Sequence, residues 1–246
     1  MTYRTTRADE VRARVDAIRA AGVGLRALTQ KDLEALCHAV QWLADDSDLR
    51  AAVVGRTGLS AAMVEWGLRT SVESLDADKL LGIREQLGLD WESNASASVA
   101  VVLSGNLFTA CLKPMLWPLV LGVPVIGKAT GRDDVLVRAL ADRLPDPFAS
   151  AIAVETFSRE ETDCLEAMLQ TDLVHVYGGS DAIRAVRERA PAETLVVPHG
   201  HGAGIALVAN AGFDATHADR LALDVAAYDQ HGCLSPQEVW VMGDPH

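Results

Sequence analysis

From Ser98 onward, short runs of β-branched apolar residues alternate with segments of helical period, and this alternation restricts the fold more than any other feature of the chain. The first run, Val99 to Leu103, ends in Ser104-Gly105-Asn106 and leads into an apolar helix candidate, Leu107 to Leu121. Further strands are expected at Pro124 to Gly127, Ala151 to Glu155, Leu173 to Tyr177, Thr194 to Val197 and Ile205 to Val208. Helices are expected near Asp133 to Arg143, Arg159 to Gln170, Asp181 to Arg189 and Asp214 to Tyr228. Apolar strands without polar alternation, interleaved with helices, must be covered on both faces, so the fold class is α/β with a doubly wound parallel sheet. Ligands of such sheets sit beyond the carboxyl ends of the strands.

The preceding segment is helical throughout, with Val11, Val15 and Ile18 on one face and Leu33, Leu36, Cys37, Val40 and Leu43 on another. Thr29 and Ser60 are placed to cap helices. A formal net charge of −12, with Arg and Lys scattered, argues against nucleic acid or an anionic membrane surface as a partner. The longest apolar stretch, Met115 to Gly127, is too short to span a bilayer and carries two prolines, and the N-terminus has no apolar core, so no membrane insertion and a cytoplasmic location are expected. Four separated cysteines with no CxxC pair favour free thiols over a zinc knuckle or a disulfide framework.

Cys37, Cys111 and Cys164 fall on helical patterns and read as small buried hydrophobes. Cys233 differs. It lies in Asp229-Gln230-His231-Gly232-Cys233-Leu234-Ser235-Pro236, where Gly and Pro interrupt both periodicities, and a thiol on a constrained, accessible loop suits nucleophilic work. Asn106 could donate to a developing oxyanion or simply cap a helix. Lys128, at the end of Val-Ile-Gly-Lys, could meet a ribose or phosphate or be an ordinary exposed lysine. Tyr177-Gly178-Gly179-Ser180 offers backbone N–H groups and a hydroxyl at a helix N-terminus, a place for phosphate.

In this order the segments resemble the aldehyde dehydrogenase superfamily, and within it the LuxC-type acyl-CoA reductases: Ser-Gly-Asn, Val-Ile-Gly-Lys, Tyr-Gly-Gly-Ser, His199-Gly-His-Gly, and Gly-Cys-Leu-Ser-Pro-Gln before a final strand, Val239 to Met242. The resemblance implies a helical N-terminal region (1–97), an NAD(P)-binding domain (98–210) and the start of a catalytic domain (211–246). Cys233 would be the nucleophile and Asn106 the oxyanion-hole amide. Ser104, Lys128, Thr130, Arg132, Gly179, Ser180 and Gly200 would line the cofactor. Where hydrolytic aldehyde dehydrogenases carry a water-activating glutamate, this chain has His199, which fits an enzyme that must not hydrolyse its acyl-enzyme. Ala129-Thr130-Gly131-Arg132 after Lys128 lacks the glutamate that often holds the ribose of NAD and supplies an arginine, which inclines the cofactor to NADPH over NADH.

The implied reaction is reduction of an acyl-CoA, of fatty acyl type, to an aldehyde through a cysteine thioester, with no metal. His199, His201 or His231 would tune the thiolate or carry a proton. Three other readings compete. His199, His201, His217 and His231 match no usual zinc spacing. Gly178-Gly179-Ser180-Asp181-Ala182 is one residue short of a GxSxG elbow, and a hydrolase reading leaves Cys233 and Asn106 without a role. A catalytically idle binding module or fragment is the third. It is suggested by the 13 residues after Cys233, which leave the catalytic domain truncated and a sheet edge open to self-association. A homo-oligomer and an acyl-transferring partner protein are both compatible with the sequence.

Overall fold

The computed structural model describes residues 5–88, 97–131, 133–200, 202–209, 213–232 and 235–243. The chain divides after Gly200 into two units.

The first unit opens with five helices, α1 (Arg7–Ala21), α2 (Gln30–Asp45), α3 (Ser47–Thr57), α4 (Ala61–Val72) and α5 (Ala77–Leu87). Thr6 and Thr29 each close a reciprocal capping box, with Asp9 and Asp32 as the acidic partners. Ser60 accepts from the Met63 N–H. Each such cap contributes about 1 kcal/mol. The carboxyls of Asp9 and Asp32 lie below their ordinary range because each accepts from a threonine hydroxyl and backbone N–H.

A five-stranded sheet follows: β1 (Val99–Val102), β2 (Val125–Lys128), β3 (Ile152–Glu155), β4 (Leu173–Tyr177) and β5 (Leu195–His199). Its order is β3-β2-β1-β4-β5, parallel at every pairing. The doubly wound α/β expectation is met, and the reversal of strand order between β1 and β4 opens the cleft such sheets use for ligands. The connecting helices are α6 (Leu112–Val120), α7 (Val135–Arg143), α8 (Thr162–Met168) and α9 (Ser180–Arg189).

Side-chain alternation assigns the two faces. Ala100, Ile126, Val174 and Val176 join one buried cluster with Cys164, Met168 and Val186, and with Val11, Val15 and Ile18 of α1. Gly127, one residue along β2, turns to the other face, where an added Cβ would lie 2.8 Å from Met115 Sδ of α6, so a side chain there would require Met115 to shift. Helix α1 of the helical N-terminal region thus packs into the sheet's own core. It is fixed by Arg7 and Arg14, which both reach the buried Glu155 carboxylate at the end of β3. An apolar stripe marks a buried face but does not say what buries it. α2 and α3 adjoin α7, where Arg143 stacks 3.5 Å from the Trp42 ring centroid and Arg56 pairs with Asp134.

The expected helix Leu107 to Leu121 is broken into a 3-10 turn, Phe108–Cys111, followed by α6. In the second unit, β6 (Gly204–Ala209), α10 (Ala215–Ala226) and β7 (Pro236–Met242) form a βαβ unit whose strands pair in parallel. The strand expected at Ile205 to Val208 therefore belongs to this two-stranded sheet and not to the five-stranded one. Gly200 and Gly202 lie between β5 and β6, and β6 alternates between exposed and half-buried residues where the first three residues of β1 and of β2 are buried. Among the described residues no helix is long and apolar enough to cross a membrane.

Candidate functional site

The carboxyl ends of the five parallel strands gather most of the residues singled out above. Leu103 donates its N–H to the Lys128 carbonyl and Ala129 to that of Glu155, so the chain leaves β1 and β2 side by side. At this point Thr130 stands directly over Gly105. A Cβ on Gly105 would fall 2.3 Å from Thr130 Oγ1, a separation no side chain tolerates. The Thr130 hydroxyl is itself buried and without a hydrogen-bond partner. A buried, unsatisfied hydroxyl against a glycine is costly unless a ligand meets it. The pair thus forms a small cradle suited to a polar group of a bound molecule.

Asn106 follows in an exposed turn. The N-cap of the next 3-10 turn falls on Leu107, so the Asn106 amide is not that cap. Lys128 is half-buried, with its Nζ 4.9 Å from the Phe157 ring centroid. Burial, and then the Arg159 charge, hold its ammonium below the ordinary lysine range, with Glu161 opposing. An ordinary exposed lysine it is not.

Gly179 is the N-cap of α9 and Ser180 its first residue, and no side chain caps the helix. The amide dipoles at that end are available to an anion. Ser180 and Gly200, with Ile183, Arg184, Arg187, Glu188 and Pro198, line an open concavity of about 580 Å³ beside the edge strand β5.

His199 ends β5 opposite Tyr177 in the register. Their rings stack with centroids 4.2 Å apart at 5°, and His175, two residues back on β4, stacks on His199 at 5.2 Å. His175 Nδ1 and His199 Nε2 are 2.9 Å apart. Burial, and then the neighbouring His199, push the His175 imidazolium below the ordinary histidine range, and burial raises the Tyr177 phenol. Sequence reasoning missed His175 and Tyr177 because their partnership with His199 depends on strand register.

It also missed Asp133. This carboxyl is half-buried in the turn whose Asp133 N–H bonds the Thr130 carbonyl, and burial followed by the adjacent Asp134 raises it to about 6, with Arg56 opposing. The turn after Lys128 therefore does hold an acidic group, immediately after the segment Ala129 to Arg132. Arg132 lies outside the described residues.

Cys233 and His201 lie outside them as well. The residues leading to Cys233 are described. Tyr228, Asp229 and Gln230 all have positive φ, at 55°, 51° and 62°, a left-handed run that non-glycine residues seldom adopt. Ser235 donates its Oγ–H to the Ala227 carbonyl and its N–H to the Gly232 carbonyl. Cys37, Cys111 and Cys164 are buried and their thiols are raised chiefly by desolvation, so none is a nucleophile. Among the described residues no group of three or more His, Cys, Asp or Glu side chains could hold a metal. His217 is engaged by Asp214 at 2.7 Å within the first turn of α10.

Over residues 91–246 the chain matches the family model described as Acyl-CoA reductase (LuxC). It is 27% identical over 150 residues to "Long-chain acyl-protein thioester reductase 2" of Photobacterium leiognathi, covering 58% of this chain and 31% of that relative. It is 26% identical over 152 residues to "Long-chain acyl-protein thioester reductase" of Photorhabdus laumondii, covering 59% of this chain and 32% of the relative. The fold is similar to that of the NAD-dependent aldehyde dehydrogenase from Sinorhizobium meliloti, with a TM-score of 0.74 at 17% identity over 95% of this chain and 50% of that one. It is similar also to lactaldehyde dehydrogenase from Escherichia coli, with a TM-score of 0.70 at 15% identity over 96% and 53%. The chain thus spans about half the length of these solved structures and about a third of the curated relatives. Matched over more than half of its length, the chain belongs to the LuxC acyl-CoA reductase family and has the aldehyde dehydrogenase fold.

Proposed function

We propose that this chain carries the nicotinamide-binding and thioester-forming part of a reductase that converts a long-chain acyl thioester to an aldehyde, with Cys233 as nucleophile. The observation that carries this reading is the cradle at the adjoining carboxyl ends of β1 and β2. An orphaned Thr130 hydroxyl lies against Gly105 there, with Lys128 and the uncapped α9 N-terminus at neighbouring strand ends, in a chain whose family match runs through the Cys233 loop.

A dinucleotide fits these residues. Thr130 and Lys128 would hold ribose hydroxyls, while Gly179 and Ser180 would present N–H and O–H donors to the phosphates, with Ser104 and Gly200 at the flanks. Once bound, the group supplies hydride to the acyl carbon. The protein's own residues do the rest. Cys233 would attack the thioester carbonyl as its thiolate, with His199 as the residue proposed to carry a proton. Asn106 donates to the oxyanion, the departing thiolate takes up the proton, and Cys233 leaves again as thiolate when the aldehyde forms. A histidine in place of a carboxylate at the end of β5 carries this proton without selecting water as a nucleophile. Arg132 favours a 2'-phosphate and hence NADPH, and Asp133 opposes it when ionised.

The names of the curated relatives favour a second donor for the same chemistry, a fatty acyl group presented on a protein thiol and handed over by an acyl-transferring partner. The test is NADPH oxidation coupled to aldehyde formation, with a long-chain acyl-CoA and with an acylated protein thiol as alternative donors. Aldehyde formation that Cys233→Ala abolishes supports the reading, and the better donor identifies the substrate. Aldehyde formation that survives in Cys233→Ala, or none with either donor, contradicts it.

A further inference from the structure

We propose that His175 is the positioning residue for His199, and that the two rings form a relay that returns a proton to the site from solvent. This rests on the reading of His199 as the proton carrier. His175 lies on β4, with Val174 and Val176 buried in the opposite face of the sheet, so its ring is directed to the same face as Tyr177 and His199. The 2.9 Å separation of His175 Nδ1 from His199 Nε2 allows one shared hydrogen and therefore only two neutral arrangements. In one, His175 Nδ1–H donates to His199 Nε2, which obliges His199 to carry its own proton on Nδ1. In the other, His199 Nε2–H donates to His175, and His199 Nδ1 is an acceptor.

Each arrangement fixes the tautomer of both rings at once, and transfer of the shared hydrogen exchanges them when His175 Nε2 gains a proton and His199 Nδ1 loses one. A proton taken up at His175 Nε2 is thereby matched by one released at His199 Nδ1. The parallel stack on Tyr177 keeps the His199 ring from rotating out of this geometry. The reaction needs such a return path. The Cys233 proton leaves with the thiol product and Cys233 is left as thiolate when the aldehyde forms, so one proton must come from solvent to restore the thiol. The half-buried His175, whose own charged form is disfavoured, suits transfer better than storage.

The test combines two readouts on the 246-residue protein. Long-range ¹H–¹⁵N imidazole spectra should give coupled tautomers for His175 and His199, with His199 reverting to the mixture of a free imidazole in His175→Phe, which keeps a ring in the stack. The rate of acyl-adduct formation from a long-chain acyl-CoA should fall about tenfold in His175→Phe, with its final extent unchanged, and recover in part in His175→Gln, which can still hydrogen-bond. An unchanged His199 tautomer in His175→Phe, or an unchanged rate, overturns the proposal. Failure of the wild-type protein to form any adduct counts against the functional reading, and the spectra then decide the pairing by themselves.

Discussion

The two units of this chain treat apolar side chains in opposite ways. In the first, Val99, Ala100 and Val101 of β1 are at most 5% exposed and Phe148 is fully buried. In the second, Leu207 is 72% exposed, Trp240 59% and Val241 63%, and α10 has no buried residue. Helices over its faces make the five-stranded sheet self-sufficient, because β1, β2 and β3 bury consecutive residues and so contribute to covered cores on both sides. The βαβ unit carrying the Cys233 loop has hydrogen-bonded strands and apolar residues but little burial of its own. Hydrophobic stabilisation follows area removed from water, so the two units should respond very differently to the same kind of substitution.

The largest effect is expected at Phe148. Phe148→Ala should destabilise the first unit by about 3–5 kcal/mol in urea unfolding, because the cavity lies in a core with no room to collapse. Next comes Asp133. Its carboxyl is raised from 3.8 to about 6, so the folded state holds that proton more tightly than the unfolded chain does. This contribution is fully present below pH 4 and is lost as pH rises through 6, where the ionised group becomes a burden to the fold. Asp133→Asn should therefore stabilise the protein by on the order of 1–2 kcal/mol at pH 8, with the gain vanishing toward pH 4.

Thr130→Val sharpens the cradle argument. Its hydroxyl has no partner in the protein, so stability should change by less than about 0.5 kcal/mol, whereas NADPH binding followed by fluorescence should weaken about fivefold. A loss of stability equal to the loss of binding would assign the hydroxyl a structural role. The smallest effect is expected in the second unit, where Leu207→Ala should cost less than about 0.5 kcal/mol. A cost near that of Phe148→Ala would erase the contrast between the units.

Much of this was legible in the sequence, and the reasons are local. β-branched runs gave the strands, Thr29 and Ser60 gave helix starts, and burial of Cys37, Cys111 and Cys164 followed from their places on apolar patterns. What local pattern could not give was partnership. The stripe Val11, Val15, Ile18 announced a buried face but not that the sheet buries it. Ile205 to Val208 announced a strand but not that β7 is its neighbour. His199 stood out by comparison with a family pattern, while His175 became visible only once the β4–β5 register set its ring against His199. The Asp133 carboxyl was passed over because its desolvation depends on packing. The Cys233 reading still rests on sequence, with the left-handed run at Tyr228 to Gln230 as the described feature beside it.

The most direct measurement is the intact mass of the protein after mixing with a long-chain acyl-CoA, beside a Cys233→Ala control. The account predicts a single acyl adduct on the wild-type chain, removed by hydroxylamine and missing from the control. An unmodified wild-type protein whose Cys233 is shown to be reduced and accessible, or an adduct that persists in Cys233→Ala, would contradict it.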